Sequence, residues 1–128
     1  FENSPLDIAL DEELIGLLNG DKDKMVSAIN PKYIILKPSL IGGIKQSEEW
    51  ISVAKKNNIQ WWVTSALESN VGLNAISQWV FNKSLSMKQG LGTGQLFSNN
   101  ISCSLYIKEG CLYYNPDTSW DLAFLKRF

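Results

Sequence analysis

Residues 33–38 read Tyr33-Ile34-Ile35-Leu36-Lys37-Pro38. Four β-favouring residues without a polar interruption are the signature of a parallel strand covered on both faces. The run ends in a charge, and Pro38 stiffens the exit. Moving outward, Gly42-Gly43 breaks the chain. Ser47 is placed to cap a helix in which Trp50, Ile51, Val53 and Ala54 face inward, with Lys55 and Lys56 at its negative end. Asn57-Asn58 leads into a second apolar run, Ile59 to Val63. Ser69 is placed to cap the next helix, where Leu73, Ile76 and Val80, with Ala75 and Trp79, recur at helical spacing. Upstream, residues 5–10 read as a short strand opened by Pro5, followed by a helical segment from Glu12 to Leu18 closed by Asn19-Gly20. Asp21 caps a further short helix with Met25, Val26 and Ile29 as its buried stripe, and Asn30-Pro31 ends it. Strand, helix, strand, helix at this spacing predicts an α/β fold: three to four parallel strands with covering helices and right-handed crossovers.

A polar residue stands at the end of each strand. LDIAL (residues 6–10) runs into Asp11, YIIL into Lys37, WWV (61–63) into Thr64 and Ser65, and the weaker SMKQ (86–89) into Gly90. The separations Asp11 to Lys37 to Thr64 to Gly90 are 26, 27 and 26 residues, one strand plus one helix each. In parallel α/β architectures reacting groups gather at these carboxyl ends.

The 128 residues suffice for one domain with a core, but fall short of the roughly 250 of a closed (β/α)8 barrel. The net charge of −1, with both signs interspersed, gives no electrostatic case for nucleic acid or an anionic membrane. No apolar run reaches a membrane span, and the first residues lack a signal-peptide pattern. The start at Phe1 suggests a piece of a longer protein. Histidine is absent, so proton chemistry must use Lys, Asp or Glu. Cys103 and Cys111 flank a hairpin that turns near Glu109-Gly110; this sets Cys111 opposite Lys108 rather than Cys103 and predicts free thiols in a reducing cytoplasm. Asn115-Pro116-Asp117 is a turn, and the tail Ser119 to Phe128 is rich in apolar and aromatic side chains.

Each strand-end residue has two readings. Asp11, with Glu12 and Glu13, suits either a hard cation such as Mg²⁺ or the N-terminus of a helix. Lys37 is either a partly desolvated cation in a site or a side chain reaching past the sheet edge to water. The Thr64 and Ser65 hydroxyls, with the amides of the next helix, suit a carboxylate or similar anion; helix capping by Ser69 is compatible with that. The stretch Gly90-Leu91-Gly92-Thr93-Gly94 allows close backbone approach, but it is not a phosphate loop and lacks the lysine of one. The tryptophans at 50, 61, 62, 79 and 120 read as packing.

Taken together, ALDEEL (9–14), YIILKPSLIGG (33–43), VTSALESNVGLNA (63–75) and QGLGTGQLF (89–97) resemble the last barrel repeats of the o-succinylbenzoate synthase family in the enolase superfamily. YIKEGCLYYNPDTSWD (106–121) resembles the segment that returns from the barrel to the capping domain. The resemblance implies residues 1–100 as C-terminal βα repeats of a partial (β/α) barrel, and residues 101–128 as a hairpin and tail packed on a capping domain absent from this chain. It implies Mg²⁺ as cofactor, with Asp11 as one ligand and the others outside this chain. It further implies a charged Lys37 facing the enediolate, and Thr64 and Gly90 near a small-molecule carboxylate substrate. The implied reaction is β-elimination of water in menaquinone biosynthesis. The K-x-K motif with the base lysine and two metal carboxylates are missing, so the chain alone is expected to be inactive. Its open sheet edge is expected to swap, dimerise or pair. An N-acylamino acid racemase or dipeptide epimerase of the same superfamily, or a non-catalytic half-barrel module, are the competing expectations.

Overall fold

A computed structural model describes residues 5–17 and 21–123. Strand β1 (Ala9–Leu10), helix α1 (Lys22–Ile29), β2 (Tyr33–Leu36), α2 (Gly43–Lys56), β3 (Gln60–Val63) and α3 (Asn70–Phe81) alternate along the chain, and a hairpin of β4 (Leu105–Lys108) and β5 (Cys111–Tyr114) follows. The three strands β1-β2-β3 form a parallel sheet, with Leu10 beside Ile34 and Leu36 beside Val63. The expected α/β partial fold is therefore present.

Alternation along the strands gives the sheet two unlike faces. Leu10, Ile34, Leu36 and Val63 are buried in one core with Val26, Trp50, Ile51, Ala54, Leu73, Ile76 and Val80 from the helices. The other face carries Ala9, Asp11, Tyr33, Ile35, Lys37, Gln60, Trp62 and Thr64, and none of these is buried among the described residues. This departs from the double coverage read from the apolar run. The described helices supply apolar side chains to one side of the sheet; on the other, Tyr33 and Trp62 meet edge to face at 5.7 Å, and the Lys32 ammonium lies over the Tyr33 ring.

Several local readings change. Strand β1 is two residues long, and only a single 3-10 turn, Glu12–Leu14, follows it. Leu18 and Asn19-Gly20 lie outside the described residues, as do Phe1 to Ser4 and the tail residues 124–128. Asp21 does cap α1, its Oδ1 accepting from the Lys24 amide at 3.0 Å, and Asn30 ends it in the left-handed region at φ 50°. Ser47 does not cap α2. The helix starts earlier, at Gly43, because Gly42 and Gly43 take φ of 99° and 84°, which glycine adopts without steric cost. Ser47 is fully buried inside the helix and donates to the Gly43 carbonyl at 2.9 Å. Ser69 occupies the N-cap of α3 without a side-chain bond; Asn100 Oδ1 accepts from the Asn70 amide instead, at 2.8 Å. Ala75 is exposed. The fourth strand is reduced to one parallel bridge between Thr64 and Gly90.

The hairpin matches its reading. Lys108 pairs with Cys111, both cysteines are free, and Glu109 and Gly110 take φ of 51° and 74°, the pair of positive values a two-residue turn of this type requires. Leu105 and Leu112 pack against the main core. The buried Ser104 hydroxyl donates to the Thr118 carbonyl, tying the hairpin to the segment after the Asn115-Pro116-Asp117 turn.

Candidate active site

Parallel pairing places the carboxyl ends of β1, β2 and β3 side by side, and the residues just beyond them inherit the strand alternation. Asp11 and Lys37 thereby fall on the open face. The Lys37 ammonium donates to Asp11 Oδ2 at 2.9 Å and lies 3.8 Å from Glu12 Oε1. Lys37 is mostly covered, with 19% of its side chain exposed, against 37% for Asp11. Asp11 Oδ1 is buried and has no hydrogen-bond partner. Asp11 stands at the N-cap of the 3-10 turn with Glu12 and Glu13 in its first turn, as the helix-terminus reading has it, but its carboxylate makes no cap bond there. Glu13 does the local work instead. Its Oε2 accepts from the Asp11 amide at 2.9 Å, and that N–H holds the Glu13 carboxyl below its ordinary pKa.

Thr64 continues the sheet, its amide donating to the Leu36 carbonyl at 2.9 Å. Its Oγ1 is a second buried oxygen without a partner. Gly90 lies against it. A Cβ at position 90 would sit 2.7 Å from Thr64 Cγ2, so glycine is needed here for approach rather than for backbone freedom. The close backbone approach expected of the glycine-rich stretch is thus made to Thr64.

Ser65 parts company with this group. One residue further along the strand, it turns to the helix-covered side, is 7% exposed, and shares a hydrogen bond with the Thr93 hydroxyl. Asp11, Lys37, Thr64 and Gly90 are brought together; Ser65 lies behind them. Sequence reasoning missed Thr93 and Gln89, whose Oε1 accepts from the Val63 amide at 2.8 Å. Both lie within or beside the glycine-rich stretch, where Thr93 is the one hydroxyl and Gln89 and Gln95 are the flanking amides. The rim carries a further link, Ser39 Oγ donating to Glu68 Oε1 at 2.5 Å between the loops after β2 and β3.

For a divalent cation the donor chemistry fits one ligand position. Asp11 Oδ1 is a carboxylate oxygen with no donor of its own, the atom type a hard cation takes. Among the described residues no group of three Asp, Glu, Cys or His side chains is placed to hold a metal. The full ligand set is therefore not in these residues.

Comparison with known proteins bears on the whole arrangement. The chain is 54% identical over 110 residues to the o-succinylbenzoate synthase of Desulfotalea psychrophila, a match that takes in 86% of this chain. The crystal structure of MenC from the same organism superposes with a TM-score of 0.82 over 87% of the chain. Over that stretch the chain is a relative of o-succinylbenzoate synthase. The o-succinylbenzoate synthase of Vibrio cholerae serotype O1 is 32% identical over 90 residues, 70% of the chain. The chain spans about 30% of the Desulfotalea psychrophila o-succinylbenzoate synthase, 31% of the MenC chain and 27% of the Vibrio cholerae enzyme. No family model matches it. The α/β fold that carries Asp11 and Lys37 is thus one that the MenC structure shares.

Proposed function

We propose that this chain is the C-terminal part of an o-succinylbenzoate synthase, a carbon–oxygen lyase of menaquinone biosynthesis acting in the cytoplasm. The observation that carries the reading is the convergence of Asp11, Lys37, Thr64 and Gly90 on one open sheet face, within a chain 54% identical to such an enzyme. Residues 1–100 are then barrel repeats and residues 101–128 the hairpin and tail that meet the capping domain. Large apolar side chains left open on α3 and the hairpin, Phe81 at 85% and Tyr114 at 61%, support a covering partner there.

In this reading the substrate is a succinyl-hydroxycyclohexadiene carboxylate that loses water. Lys37 keeps its charge and faces the developing enediolate, stabilising it electrostatically and by contact with the ring. Thr64 and the Gly90 backbone bound the substrate's side. Tyr33, Ile35 and Trp62 form the apolar floor below them and help to exclude water. Asp11 supplies one oxygen to Mg²⁺, and the remaining ligands and the base lysine lie in sequence beyond this chain. The bound ion's contribution is Lewis-acid stabilisation of the substrate carboxylate as its neighbouring C–H becomes acidic. The four strand-end residues are half a site, so the chain alone is inactive, and its open β1 edge and apolar face lead it to self-associate.

The test is dehydration of the cyclohexadiene substrate by the intact protein, followed by the growth of product absorbance. Activity that falls on replacing Lys37 supports the reading, and an intact protein that turns over only N-acylated amino acids or dipeptides overturns it.

A further inference from the structure

The hydroxyl pair of Ser65 and Thr93 stands behind the site, joined to it by backbone. The Ser65 amide donates to the Gly90 carbonyl at 2.9 Å, and the Gly90 amide to the Val63 carbonyl at 2.8 Å. Thr64, the one residue between Val63 and Ser65, is therefore clasped from both sides by Gly90. No strand ladder supports this contact, because the segment leading to Gly90 makes only the single bridge to Thr64 among the described residues. Side chains take the place of the ladder. Gln89 accepts from the Val63 amide, Thr93 shares its hydroxyl bond with Ser65, and Asn100 Nδ2 donates to the Gly94 carbonyl at 3.0 Å. The loop has no slack on its far side either. A Cβ at Gly94 would lie 2.8 Å from Asn70 Oδ1 and 2.9 Å from Leu73 Cδ2 on α3.

We propose that Thr93, acting through Ser65, is a positioning residue that holds the Gly90 backbone against Thr64 and so fixes the substrate-facing edge of the site. Its connection to substrate rests on the o-succinylbenzoate synthase reading; its hold on Gly90 does not. Ser65 is buried with its hydroxyl turned from the open face, so the pair acts on substrate only through the position of Gly90. Hydroxyls suit this role because each both donates and accepts, and a part-buried pair keeps its bond only when the two segments are correctly aligned.

The experiment uses the intact Desulfotalea psychrophila enzyme with its matching stretch replaced by this chain, compared with its Thr93→Val, Thr93→Ser and Ser65→Ala variants. Amide hydrogen exchange at Gly90 and Ser65, kcat, KM and Tm are measured on each. Thr93→Val is expected to speed exchange at both amides and raise KM by roughly tenfold, with kcat changed less and Tm shifted little. Thr93→Ser is expected to restore both to within about twofold, and Ser65→Ala to match Thr93→Val, with no further loss when the two are combined. Unchanged exchange, or a Thr93→Ser variant no better than Thr93→Val, overturns the proposal. If Thr93→Val fails to fold, Thr93→Ser against Ser65→Ala makes the same comparison. A parent exchange protein that folds but dehydrates nothing defeats the functional reading, while the exchange rates still judge the hold on Gly90.

Discussion

Lys37 Nζ and Asp11 Oδ2 are 2.9 Å apart, joining the ends of neighbouring strands β2 and β1, while Asp11 Oδ1 remains buried without a partner. One carboxylate oxygen is thus committed to a cation on its own chain and the other is held ready for something else. A polar atom in that state costs free energy unless a ligand satisfies it. This is why a stability measurement and an activity measurement should disagree at these positions.

On the proposed reading, Lys37→Met in the intact protein should lower dehydration turnover by about a hundredfold or more, the loss expected when a charge facing a developing anion is removed. Its cost in folding stability should be smaller, about 1 kcal/mol, because Asp11, the charge left behind, keeps 37% of its side chain exposed to water. Steady-state kinetics and urea unfolding on one protein preparation check both. Equal losses in the two would reduce the pair to a structural tie.

Gly90→Ala should destabilise by about 1 to 3 kcal/mol, the usual range for inserting a methyl into a filled space. The clash is with Thr64 Cγ2, so Thr64→Ser, which removes that methyl, should relieve part of the loss. A double-mutant cycle measured by chemical denaturation would show a favourable coupling. Strict additivity would mean that the loop moves away instead.

Trp50→Ala should cost about 3 to 5 kcal/mol and abolish a cooperative melt, because Trp50 is fully buried between α2 and the sheet. Near-ultraviolet circular dichroism and Tm report it. Phe81→Ser, at a highly exposed position, should leave Tm of the isolated chain within a degree or two.

Glu48 accepts hydrogen bonds from Lys83 and Trp79, and its pKa is lowered from 4.5, chiefly by the Lys83 bond and then by Trp79. A carboxylate with a depressed folded pKa binds fewer protons folded than unfolded. Its stabilising contribution is therefore complete above 4.5 and is lost as pH falls below that value through the folded pKa. Stability should decline on acidification through this window, and Glu48→Gln should flatten the decline. Urea midpoints between pH 3 and 6 test it, and an unaltered slope in Glu48→Gln would remove Glu48 from the account.

The purified 128-residue chain should show no dehydration of the cyclohexadiene substrate and should elute from a sizing column as more than a monomer. A measurable rate, or a monomer at micromolar concentration, would contradict the half-site reading.

The placement of the candidate residues was legible because strand ends are marked by a change from apolar to polar. Asp11, Lys37 and Thr64 each follow such a change, and all three share the open face. Ser65 was grouped with Thr64 because a run such as Trp61-Trp62-Val63-Thr64-Ser65 has no polar alternation to show which hydroxyl faces which side. Ser47 and Ser69 were read as caps from residue type, yet glycine dihedrals started α2 earlier and an asparagine thirty residues away supplied the bond at α3. Local preference names good cap residues; which one is used depends on what the rest of the chain brings near.

By itself the sequence determined the alternation of strands and helices, the hairpin register and the presence of an acid, a lysine and a hydroxyl at successive strand ends. These follow from periodicity and turn chemistry, which act over a few residues. Only the tertiary structure decided that Lys37 pairs with Asp11, that Ser65 turns to the covered face against Thr93, and that one face of the sheet is left open. Those outcomes depend on strand register and on which side the helices cross, and both are set by packing between segments distant in the chain.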